Sequence, residues 1–117
     1  MIVLSLLLAL TVQQADSVVP EDSLDATITI VETPRLNYPL DLLQNGRQGR
    51  VIVEFVLDTA GHAEKGSIRV VASANHGFNL SAKAYVRDAV FTPPVFHGRT
   101  VRSRVRYPVE FRLHGGS

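Results

Sequence analysis

Strict alternation runs through the last part of the chain. From 101 to 113 the odd positions are Val101, Ser103, Val105, Tyr107, Val109, Phe111 and Leu113. The even positions are Arg102, Arg104, Arg106, Pro108, Glu110 and Arg112. Successive side chains of a strand point to opposite faces, so this pattern predicts one long strand with an apolar face and a charged face. Pro108 has no N–H to give to a ladder, which predicts an edge position or a bulge.

Other segments carry shorter signals of the same kind. Residues 51–57, VIVEFVL, are rich in β-branched and aromatic types and predict a strand buried at least on its Val51, Val53, Phe55 and Leu57 face. Asp58-Thr-Ala-Gly61 is a turn signal, and residues 67–72 supply the returning strand of an antiparallel hairpin. Tyr38-Pro39 opens a short helical stretch that Asn45-Gly46 stops. A second helix is predicted from about 80 to 90, capped by Asn79. Its apolar stripe is Phe78, Ala82, Tyr85, Val86 and Ala89, and Phe91-Thr-Pro93-Pro94 ends it. Residues 26–32 alternate and predict a further short strand. The fold class expected is α+β: a two-layer sandwich with a small antiparallel sheet of about three strands, plus this N-terminal strand, and two helices on one face.

Ahead of that body, residues 2–12 are nearly continuously apolar. Eleven helical residues rise roughly 16 Å, too short for a hydrocarbon core of about 30 Å but suited to the apolar region of a signal peptide. The expected organisation is a signal-peptide-like segment at 1–15, an acidic linker with a short strand at 16–33, and a domain at 34–114. Export is expected, or a membrane anchor if the start lies upstream.

The charge sharpens this division. Asp16, Glu21, Asp22, Asp25 and Glu32 stand in residues 1–34 without a single Lys or Arg, a net of −5. Residues 35–117 hold twelve Lys and Arg against six acids, a net of +6, and together these make the chain's +1. An acidic arm precedes a basic body.

Composition mostly excludes. With 45% hydrophobic and 20% charged residues the chain is neither disordered nor a coiled coil. Without cysteine there is no disulfide framework, thiol nucleophile or zinc ribbon. His62, His76, His97 and His114 form no helical i, i+3 or i, i+4 pair, so no metal site is expected. No nucleophile-elbow, phosphate-loop or dinucleotide motif is present, so neither a catalytic residue nor a cofactor is expected. Arg102, Arg104 and Arg106 form one charged stripe. It fits a solvated sheet face with a secondary electrostatic role better than a nucleic-acid site, because no base-stacking aromatics accompany it.

The punctuation from Tyr38 onward resembles the C-terminal domain of the TonB family of energy-transducing proteins. The positions that carry the likeness are Tyr38, Pro39, Gly46, Gly49, Val51, Phe55, Asp58, Gly61, Phe78, Ala82, Phe91, Pro93, Gly98 and Phe111. They include the family's D-x-x-G turn after a strand and its F-x-P after the second helix. The resemblance implies a non-catalytic binding module. Its partner would be an outer-membrane TonB-dependent receptor, whose extended TonB-box segment adds as a strand to a sheet edge. Val101, Arg102, Ser103, Arg104, Val105, Arg106 and Tyr107 are the expected edge, with the arginines steering an acidic segment. Such an edge can also pair with a second copy of the chain. The alternative is a cell-envelope interaction or inhibitor module on the same scaffold, without energy transduction. Ser5 is followed four residues later by Ala9, and no His precedes His62, so the family's motor-coupling Ser/His helix is not matched, and residues 13–33, 21 in all, do not match its long Pro-rich spacer. Coupling to the inner-membrane proton motor is therefore not expected of the chain as written.

Overall fold

The computed structural model describes residues 17–114. The apolar segment expected to be a leader, residues 1–15, lies outside the described residues. The elements in chain order are β1 (Val18–Pro20), β2 (Ile30–Glu32), α1 (Leu40–Gln44), β3 (Gly49–Leu57), β4 (Arg69–Ser73), α2 (Asn79–Asp88), β5 (Val90–Phe91), β6 (Val95–Phe96), β7 (Arg99–Thr100) and β8 (Arg102–Phe111).

The principal sheet has the strand order β1-β8-β3-β4. β3 and β8 are its backbone, antiparallel through nine residue pairs from Gly49 opposite Phe111 to Leu57 opposite Ser103. The odd positions of both strands face the helices, as the alternation predicts: Val51, Val53, Phe55, Leu57, Val105, Val109 and Phe111 are buried. Glu54 and Val56 on the opposite face of β3 are buried as well, Glu54 beneath the Arg69 and Arg106 side chains that bond its carboxylate.

Four phenylalanines fill the layer between sheet and helices. Phe78 stacks on Phe111 at 4.2 Å between ring centroids, and Tyr38 meets both edge-on at 5.7 and 5.6 Å. Phe91 lies 5.3 Å from Phe55 and 5.3 Å from Tyr107. Ala82, Val86 and Ala89 of the α2 stripe are buried against this cluster, and Tyr85 packs at its margin. Each buried Phe contributes about 1.5–3 kcal/mol by removal of its surface from water.

Two glycines are required by geometry. Gly46 follows α1 with φ +63°, its N–H reaches the Leu43 carbonyl at 3.1 Å, and the Arg47 N–H reaches that of Leu42 at 2.9 Å. This is a Schellman termination, in which the left-handed residue costs glycine nothing. Gly61 closes the turn after β3 with φ +90°, and an added Cβ there would stand 2.1 Å from the Phe91 carbonyl oxygen. The D-x-x-G turn is thus a seat for β5: the Gly61 carbonyl accepts the Phe91 N–H at 2.8 Å. Asp58 Oδ1 holds the turn by accepting the Ala60 and His62 N–H groups, each at 2.9 Å.

Several expectations are corrected. The strand expected at 26–32 is shorter, and it pairs with β5 in a separate two-stranded ribbon rather than joining the main sheet. The fourth strand of the main sheet is β1, from a stretch whose acidic, proline-containing sequence reads as linker. Helix α2 starts at Asn79 and ends at Asp88, since Ala89 is already extended. Asn79 does not cap it: its side-chain oxygen accepts the Ser73 hydroxyl at 2.6 Å, while Asn75 caps the preceding turn by accepting the Gly77 N–H. The returning strand begins at Arg69, because Lys65–Ser67 form a 3-10 turn.

Candidate functional site

The site is built along β8. Ser103, Val105, Val109 and Phe111 are buried, Arg104 and Arg106 are exposed, and the alternation of the sequence is the alternation of the two faces. The Arg106 N–H donates to Glu21 Oε1 at 3.1 Å, so it points away from β3. Strand geometry turns the N–H of every second residue to the same side. The missing N–H of Pro108 therefore also falls on the side away from β3. This reconciles a proline with a long ladder: its donor would have met no strand there.

That outer side is occupied at its beginning. β1 runs parallel to β8, with Val18 opposite Arg102, Val19 opposite Ser103 and Pro20 opposite Arg104. The buried Ser103 hydroxyl donates to the Val19 carbonyl at 2.7 Å. The expectation that residues 101–107 form an open edge is corrected accordingly. The stretch at Arg102, Ser103 and Arg104 is interior, Val101 precedes the strand and gives its N–H to the Pro94 carbonyl, and beyond Arg104 no strand pairs with the outer side, whose first donor, the Arg106 N–H, is taken by the Glu21 side chain. Beside that open half, Thr33, Pro34, Leu36, Tyr85, Tyr107 and Pro108 contribute to a groove of about 290 Å³. Burial and the neighbouring Tyr107 raise the Tyr85 hydroxyl's pKa, so it remains a neutral donor throughout the physiological range.

The arginine stripe is largely paired. Arg102 makes a bidentate contact with Glu64 at 2.7 and 2.8 Å, and this guanidinium holds the Glu64 carboxyl below the ordinary glutamate range. Glu54, 5% exposed in the middle of β3, accepts Arg69 at 2.6 and 2.9 Å and Arg106 at 3.2 Å. Arg69 first, then Arg106, keeps the Glu54 carboxyl ionised against the cost of its burial. Arg104 makes no ion pair among the described residues. With Arg106, Glu54, Val18, Pro20, Glu21 and Asp22 it lines a groove of about 410 Å³ on the open face.

A further anchor carries no local sequence signal. The Asp25 carboxylate accepts the N–H groups of His97 and Gly98 at 3.0 and 2.9 Å, and its own N–H reaches the Val95 carbonyl at 2.8 Å. His97 and Gly98 both have positive φ, 52° and 78°, and form the tip of the β6–β7 hairpin. The Gly98 and His97 donors lower the Asp25 pKa.

Residues 34–113 match the family of Gram-negative bacterial TonB protein C-terminal domains. The chain belongs to this family. Its structure is similar to the solution NMR structure of the Pseudomonas aeruginosa TonB C-terminal domain, with a TM-score of 0.61 and 22% identity, covering 80% of this chain and 93% of that one. At that identity the likeness bears on the fold. No curated protein matches. TonB C-terminal domains are binding and transduction domains that interact with outer-membrane receptors, and the family is associated with the periplasm.

The TonB motif residues have structural work in this chain. Tyr38 gives its hydroxyl to the Arg47 carbonyl and its ring to Phe78 and Phe111. Gly49 passes so close to Ala74 that a Cβ would stand 2.7 Å from the Ala74 methyl carbon. Gly98 supplies one of the N–H groups that hold Asp25. Of the two prolines after α2, Pro93 is exposed and Pro94 is buried. His62, His76, His97 and His114 are all exposed. Among the described residues no three His, Asp or Glu side chains gather as a metal site, and no helix is long and apolar enough to cross a membrane.

Proposed function

We propose that this TonB-family domain is a periplasmic binding module that takes the TonB-box segment of an outer-membrane receptor as an added strand along the outer side of β8. Its role is then in TonB-dependent transport across the outer membrane. The observation that carries the reading is that the outer side of β8 has the geometry to hold a strand, because β1 already pairs with it. Backbone bonds would supply affinity, each net about 0.5–1.5 kcal/mol, and side chains on the two faces would supply selectivity. Arg104, exposed and without an ion pair among the described residues, is the arginine most open to an acidic partner residue. Arg102 and Arg106 would first have to leave Glu64 and Glu54.

The same occupancy by β1 favours a second reading, in which the strand is a permanent part of the fold and the domain is an envelope interaction or inhibitor module. Site-specific crosslinking from each of residues 101–107 to a synthetic TonB-box peptide separates the two. Strand addition predicts crosslinks with a period of two residues along β8. An absence of crosslinks at β8, with binding elsewhere or none, rejects it.

A further inference from the structure

We propose that Val18–Glu21 is a tethered occupant of the β8 edge, and that a partner strand binds only after this segment has left it. The inference rests on the reading of β8 as the partner-binding edge.

The segment imitates a bound strand. Val18, Val19 and Pro20 stand opposite Arg102, Ser103 and Arg104, and the Ser103 hydroxyl takes the Val19 carbonyl at 2.7 Å. Beyond the last pair, Glu21 uses its side chain to accept the Arg106 N–H, the donor that the next residue of an added strand would claim. The acidic arm has thus found the basic stripe of its own chain: Glu21 and Asp22 share a groove with Arg104 and Arg106.

The occupant is lightly held at one end and firmly at the other. β1 is three residues long, Pro20 has no N–H, and Val18 and Val19 are only half-buried. The core neighbours of β8, namely Val105, Val109 and Phe111, pack against the helical layer and do not need it. In contrast, Leu24 packs on the core, Asp25 is fastened to the β6–β7 hairpin by three hydrogen bonds, and Ile28 is buried. Residues 18–23 can therefore detach while Leu24 and Asp25 stay, and the tether returns them at high local concentration. A partner meets a site that is free in only a fraction of molecules, and its apparent dissociation constant rises by the inverse of that fraction. Occupancy in roughly nine molecules of ten weakens apparent binding about tenfold.

The test uses the full chain and a synthetic peptide carrying the TonB box of an outer-membrane receptor, with affinity measured by calorimetry. The chain has no cysteine, so the double variant Pro20→Cys with Arg104→Cys gives an unambiguous bridge. Adjacent strands lie about 4.8 Å apart, within the range a disulfide spans. Oxidation is expected to weaken peptide binding at least tenfold relative to the reduced form of the same variant. Val19→Pro, which breaks β1 without touching the core, is expected to bind about tenfold more tightly than the unaltered chain. Equal binding by oxidised and reduced forms, or no gain from Val19→Pro, overturns the inference and leaves the β8 reading standing. A bridge that does not form contradicts the seat itself. Peptide binding by none of these proteins rejects the β8 reading, and the inference falls with it.

Discussion

Gly61→Ala is expected to be among the most damaging single-methyl additions in the domain. Two costs combine. The residue holds φ +90°, a backbone conformation that disfavours a Cβ by about 1–2 kcal/mol. The new Cβ would also stand 2.1 Å from the Phe91 carbonyl oxygen, so β5 must move by about an ångström. That movement strains the 2.8 Å hydrogen bond from Phe91 N–H to the Gly61 carbonyl and shifts a fully buried ring that packs on Phe55 and Tyr107. Overpacking of this kind costs about 1–3 kcal/mol, and the sum is roughly 2–5 kcal/mol. Two other glycines separate the terms. Gly46 has φ +63° and open space, so Gly46→Ala should cost only the backbone strain, about 1–2 kcal/mol. Gly66 has open space and no positive φ, so Gly66→Ala should be neutral or stabilise by up to about 1 kcal/mol. Urea unfolding followed by circular dichroism measures all three, and at a slope of about 1–2 kcal/mol/M the Gly61 variant should lose roughly 2 M in midpoint. A Gly61→Ala cost no larger than that of Gly46→Ala refutes the close approach of β5 to this turn.

Further expectations concern charge and the aromatic cluster. Replacing both Arg69 and Arg106 by alanine leaves the buried Glu54 carboxylate unpaired and should cost about 2–3 kcal/mol, more than the two single changes summed, because each arginine alone still serves it. A double-mutant cycle checks this, and strictly additive costs contradict it. The folded-state pKa of Asp25 lies below its ordinary 3.8, and those of Glu54 and Glu64 lie below 4.5. Their contribution to stability is therefore complete above these values and is lost as pH falls through the lowered folded-state ones. Asp25→Asn should flatten the acid limb of the stability profile, and the His97 and Gly98 amide resonances should titrate with a midpoint below 3.8. Tyr38→Phe removes the hydroxyl's bond to the Arg47 carbonyl and should cost about 1 kcal/mol in thermal unfolding, whereas Tyr38→Ala also opens the ring contacts with Phe78 and Phe111 and should cost about 3 kcal/mol or more.

What could be read in the chain depended on whether its cause was local. The alternation at 101–113 announced β8, and the apolar spacing from Phe78 to Ala89 announced α2, because one face of each packs against the core. β1 announced nothing: three residues between acids have no measurable period, and the contact that seats them spans 84 positions. The arginine stripe was visible as a face of one strand, but its pairing with Glu54 depends on the register that puts Glu54 opposite Arg106. An even-numbered acid on the next strand was the available sign. Asp25 stayed hidden because its partners are backbone N–H groups of a hairpin tip more than seventy residues away. The one cue was Gly98, a glycine placed where positive φ brings two amides to bear on one carboxylate.

The most direct test of strand addition at β8 is an NMR titration of the isotope-labelled protein with a synthetic TonB-box peptide. The prediction is that the largest amide shifts fall on residues 102–107, accompanied by changes at Val18 and Val19 as β1 yields its place. Shifts confined to the opposite edge of the sheet at Arg69–Ser73, or no shifts at peptide concentrations that saturate an established TonB domain, would contradict it.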